Sequence, residues 1–115
     1  MEILPEGHLR FYDRDGKPIT MGDWVKKLED HDYVVVKLTE LGGFRVSTVW
    51  LGFDHRFHSR KGSDPILFET IVFGPKGSVE EQQRYTTEAE ARAGHDQTVA
   101  RWRAAGRTFS GDVSS

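Results

Sequence analysis

Asp54, His55 and His58 stand in the spacing D-H-x-x-H, one carboxylate and two imidazoles on a short stretch of chain, with Glu69 further on. Such a set suits a divalent cation, or acid/base chemistry in which a histidine and a carboxylate act on one substrate atom. In a loop this spacing defines no coordination geometry, so a metal is the alternative and no cofactor is favoured. The plain reading makes His55 and His58 ordinary loop residues, with Asp54 closing a turn. Arg56, Arg60 and Lys61 share the loop, and Lys76 and Arg84 follow, a set that would serve a phosphate or carboxylate if it converged. No glycine pattern of a phosphate-binding or dinucleotide-binding loop accompanies them. Trp50, Phe57 and Tyr85 are candidate anchors for a protein partner.

Two further ionisable residues belong to elements rather than to the loop. Glu69 falls in the apolar row Leu67, Glu69, Ile71, Phe73, where a carboxylate is costly unless paired. The favoured reading pairs it with an Arg or Lys on a neighbouring strand or makes it an inward charge guarding an exposed edge; the other makes it catalytic. His95 lies on the apolar stripe of a C-terminal helix and is expected to be a satisfied, partly buried histidine, with catalysis as the alternative. Gly94 beside it permits another backbone to come close.

The elements that must hold these groups follow from patterning. Arg45–Phe53 and Ile66–Phe73, rich in β-branched and aromatic residues, read as paired strands around the 54–65 loop. Tyr33–Leu41 precedes them as a strand turned back by Gly42-Gly43. His8–Tyr12 and Lys17–Thr20 read as a hairpin about Asp15-Gly16, Pro18 confining the second to an edge. Met21, Trp24, Val25 and Leu28 share one face of a helix capped by Thr20, with Trp24 as a core anchor, and Asp30-His31-Asp32 ends it. Arg84-Tyr85 reads as a last short strand. Thr87-Glu88-Ala89-Glu90 is a capping box opening a helix that runs to about Ala105 and stops at Gly106.

The sum is an α+β domain over residues 1–106: a mainly antiparallel sheet of four to six strands, with a short helix in the N-terminal half and a long C-terminal helix packed on one face. Residues 107–115 are expected to form a flexible tail. The 115 residues suffice for one modest core. Sixteen basic against 18 acidic residues argue against a strong nucleic-acid signal. The absence of cysteine excludes disulfides and thiolate sites. No signal-peptide pattern and no membrane-spanning apolar run is present, so a cytoplasmic protein is expected.

The runs Leu9–Ile19, Val46–His55, Phe68–Phe73 and Tyr85–Ala91 with Gly94-His95 resemble, in that order, a family of small bacteriophage and prophage proteins of uncharacterised function. The resemblance assigns no catalytic residue. It implies a phage accessory protein in the cytoplasm of the bacterial host, acting by binding a host or host-defence protein or a small anionic ligand such as a signalling nucleotide; a homodimer is compatible with that reading but is not implied by the resemblance. An enzyme is the less favoured alternative, working through the 54–58 loop, Glu69 and His95.

Overall fold

The structure of the protein is a computed structural model that describes residues 10–54 and 64–114. A two-stranded hairpin, β1 (Phe11–Tyr12) and β2 (Pro18–Ile19), leads into the helices α1 (Met21–Leu28) and α2 (His31–Val34). Four strands follow, β3 (Val35–Leu41), β4 (Phe44–Trp50), β5 (Phe68–Phe73) and β6 (Val79–Tyr85), and α3 (Glu88–Ser114) closes the chain. The four strands form one antiparallel sheet in the order β3-β4-β5-β6, and α3 packs across all of them. The architecture is the α+β arrangement expected.

Local chemistry explains where the helices begin. Thr20 Oγ1 accepts from Asp23 N at 3.0 Å and starts α1. At α3, Thr87 Oγ1 accepts from Glu90 N at 3.1 Å while Glu90 Oε1 accepts from Thr87 N at 3.3 Å, so the capping box is closed in both directions. Asp30 does not simply end α1. Its carboxylate accepts from Asp32 N and Tyr33 N and opens the single turn of α2, which delays the strand expected from Tyr33 until Val35.

Alternation decides what each strand buries. Val46, Thr48 and Trp50 of β4 stand opposite Val72, Thr70 and Phe68 of β5, and all six are buried beneath α3. A β-bulge between Val35 and Lys37 turns Val36 into the same core. The apolar contacts fall into two clusters: Val36, Trp50, Leu67, Phe68 and Ala91 in one, Val46, Val72 and Val99 in the other.

Several boundaries differ from the sequence reading. The strand expected to reach Phe53 stops at Trp50, because Gly52 adopts φ +81° and turns the chain; Phe53 then joins Phe11 in an isolated bridge. The strand expected from Ile66 begins at Phe68. β6 spans seven residues rather than Arg84-Tyr85 alone: its Val-Glu-Glu-Gln-Gln-Arg-Tyr sequence carries little apolar signal because it is an outer strand of the sheet. α3 continues past Gly106 to Ser114, so the stop expected at Gly106 is replaced by helix. A glycine inside a helix costs about 1 kcal/mol relative to alanine and ends it only when the backbone turns left-handed.

Gly52 is a tight point of the fold. Trp24 Nε1 donates to Leu51 O at 3.0 Å, laying the indole of α1 over the Gly52 backbone, and Trp50 closes the other side. A Cβ there would overlap both rings and would carry a left-handed φ as well. Gly42 has a similar φ of +60° in the β3–β4 turn but open space around it. Gly52→Ala is expected to lower unfolding free energy by about 3 kcal/mol or more, and Gly42→Ala by about 1 kcal/mol. Urea unfolding followed by tryptophan fluorescence measures both; equal losses would show that the Trp24 and Trp50 rings do not constrain position 52.

Candidate functional site

A polar seam runs through the middle of the core. His95, fully buried on α3, engages both ring nitrogens: Nε2 lies 2.8 Å from Thr39 Oγ1 of β3 and Nδ1 lies 2.7 Å from Thr48 Oγ1 of β4. Thr48 is also hydrogen-bonded to Thr70 of β5, and Thr98, one turn along α3, donates to Gly94 O at 2.8 Å. A neutral imidazole has one donor and one acceptor, and each threonine hydroxyl can play either part, so the chain Thr39, His95, Thr48, Thr70 is satisfied from end to end. Burial lowers the His95 pKa, and the positive charge of Lys37 pushes it the same way. Asp96 opposes that shift, but its carboxylate is held by Lys37 Nζ at 2.6 Å. The ring is therefore neutral at physiological pH.

Glu69 points the other way. Thr70 and Phe68, its neighbours in β5, face α3, so alternation sends Glu69 to the opposite side of the sheet. There its carboxylate accepts from Arg84 Nε at 3.0 Å and from the Gln82 amide, both on β6. This is the cross-strand pair read as its favoured role. With the sheet between them, Glu69 and His95 do not meet at one substrate atom.

The other sequence candidates disperse. Trp50 is 1% exposed and donates to Tyr12 O at 3.1 Å, which makes it a core residue and removes it from the candidate partner anchors. Tyr85 lays its ring against Gly94, so the close approach read at that glycine is made by a side chain rather than a backbone. Asp54 Oδ1 accepts from Ile66 N at 3.3 Å and ties the two ends of the loop together. Arg84 is bound to Glu69, and Lys76 sits in the β5–β6 turn, separated from the loop by the length of β5, roughly 20 Å. His55, Arg56, Phe57, His58, Arg60 and Lys61 lie outside the described residues. Among the described residues no group of three or more His, Asp or Glu is placed to hold a metal ion.

Two features went unread in the sequence. Arg14, in the β1–β2 turn, grips Glu88 at the start of α3 with Nε and a terminal nitrogen at 2.9 and 2.5 Å, and donates to Tyr33 O at 3.1 Å. Its signal was only an arginine in a turn. The second is α1. Trp24 turns inward, packing 4.6 Å from Phe11 and 5.6 Å from Phe53 between ring centroids, but Met21, Val25 and Leu28 remain 59%, 45% and 41% exposed. Their i, i+4, i+7 spacing, which suggested a helix laid on the core, instead presents an apolar strip to solvent. No family model, curated protein or solved structure matches the chain.

His95 in the seam and Glu81 outside it give stability a pH profile with two windows. Because the folded His95 pKa is lowered, the unfolded chain takes up its proton first: the contribution to stability is intact above about pH 6.5 and declines as the pH falls below it. Glu81, gripped by Arg101 at 3.1 and 2.5 Å and by Trp102 Nε1 at 2.9 Å, has its pKa lowered from 4.5 to about 2, so its contribution is present above pH 4.5 and lost between there and pH 2. His95→Gln is expected to cost about 1–3 kcal/mol at neutral pH and to abolish the upper window only. Glu81→Gln should shrink the lower one without abolishing it, because the carboxyls of Glu88, Glu90 and Asp96 are also held below their ordinary range by their hydrogen-bond partners. Urea midpoints collected from pH 8 to pH 3 test both, and an unchanged upper slope in His95→Gln would remove His95 from the account.

Proposed function

We propose that this chain works by binding: that it is a phage accessory protein in the bacterial cytoplasm which engages a host or host-defence protein through the apolar strip of α1. The supporting observation is the exposure of Met21, Val25 and Leu28 on one face of a capped helix that Trp24 fixes to the body from beneath. Isolated exposed apolar residues are ordinary on a protein surface, whereas a contiguous strip on a rigid helix suits insertion into a partner's groove. An aliphatic strip offers no donor or positive charge for a phosphate, so a protein partner fits it better than a nucleotide does. The phage setting rests on the resemblance carried by the four sequence runs.

A photo-crosslinking residue at position 25, expressed during infection, should capture one partner protein, and the same residue at exposed Gln97 on α3 should not. Val25→Glu and Leu28→Glu should abolish capture while leaving the unfolding midpoint within about 0.5 kcal/mol of the parent, since both positions face solvent. Equal capture from positions 25 and 97, or capture that survives both substitutions, would refute the α1 interface.

A further inference from the structure

The sheet has two outer strands of different character. β6 exposes Val79 at its first position, but Glu80, Gln82 and Arg84 follow in solvent, and polar and charged side chains of this kind keep an edge from recruiting other strands. β3 has no strand on its outer side among the described residues, and Leu38 at its centre is 47% exposed.

Backbone geometry says which groups that edge offers. β3 and β4 are joined by Gly42 and Gly43 alone, and the pair Leu41 and Phe44 closes the hairpin. In a two-residue hairpin the closing pair exchanges both backbone hydrogen bonds, and such pairs recur at every second residue. Thr39 opposite Val46 and Lys37 opposite Thr48 are then bonded inward, towards β4. Leu38 and Glu40 direct their N–H and C=O groups outward.

We infer that β3 pairs antiparallel with β3 of a second copy of this chain, about a two-fold axis at Leu38, to make one continuous eight-stranded sheet. In this register the outward groups of Leu38 bond those of Leu38 in the second copy, and the two leucine side chains meet on the face away from α3. Lys37 stands opposite Thr39, and Glu40 opposite Val36, so no like charges oppose each other. An axis at Glu40 would instead juxtapose two carboxylates. The edge is self-complementary in charge and register, and a second copy is the occupant that supplies the matching edge. The pairing uses β3 and leaves α1 free, so it stands or falls apart from the partner proposed above.

The chain has no cysteine, which makes a single-thiol test clean. Bonded antiparallel pairs bring Cα atoms to about 5.5 Å, inside disulfide range. Leu38→Cys should therefore oxidise to a covalent dimer at least tenfold faster than Lys76→Cys, whose position is equally in solvent. Sedimentation velocity over a concentration series of the full chain should show reversible dimers, and Leu38→Lys should weaken them about tenfold or more by opposing two ammonium groups. A chain that stays monomeric at every concentration, a dimer indifferent to Leu38→Lys, or equal oxidation at positions 38 and 76 would each overturn the pairing. So would Leu38→Cys crosslinking in cells to a different protein alone, which would make β3 a docking edge for a foreign strand.

Discussion

The hydrogen bonds of His95 are the constraint on which the rest of this fold depends. Its two ring nitrogens reach two strands, and through Thr48 a third, from a helix far away in sequence. Hydrophobic burial alone would hold α3 on the sheet but would tolerate small sliding, since Val46, Val72 and Val99 are interchangeable in kind with their neighbours. A buried hydroxyl or imidazole is less forgiving. Shifting β4 or α3 by one residue would strand several polar groups out of water, at roughly 1–3 kcal/mol each. The seam lies between the two apolar clusters and sets the register of both.

The periphery is tied to that centre by a few long-range contacts. Arg14 joins the β1–β2 turn to the first turn of α3 and to Tyr33, and its guanidinium also lies over the Tyr33 ring at 5.4 Å. At the other end of the sheet, Glu81 joins β6 to Arg101 and Trp102 of α3, and Trp102 stacks on Phe44 at 5.1 Å. The helix is thus clamped near both ends of the sheet and keyed in the middle. Exposed ion pairs such as Arg45 with Glu40 add little to this, being screened and entropically costly.

What the sequence disclosed follows the same division between local and non-local physics. Both helix caps, the Gly42-Gly43 reversal and the two central strands were legible because each rests on residues adjacent in the chain. The pairing of Glu69 was legible because alternation exposed its cost. The threonine partners of His95 were not, although Thr48 and Thr70 keep phase with Val46, Trp50, Phe68 and Val72, because threonine suits either face of a strand. Trp50 looked like an anchor only because its burial depends on α3 and on the carbonyl of Tyr12. The apolar stripe of α1 was read correctly as a stripe, but periodicity does not say whether a core or water lies beneath it. The β6 edge stayed hidden because its partners, Arg101 and Trp102, lie on the last helix.

The position of His95 in the chain has a consequence for biosynthesis. Every strand of the sheet emerges from the ribosome before the helix that completes its polar seam. Until α3 has been released, Thr48 and Thr70 have only each other, and the row Val46, Trp50, Phe68 and Val72 has no cover. The native arrangement of that row and of the seam is therefore reached only after synthesis of the last helix. A ribosome that stalls short of His95 would leave a product suited to quality control rather than to function.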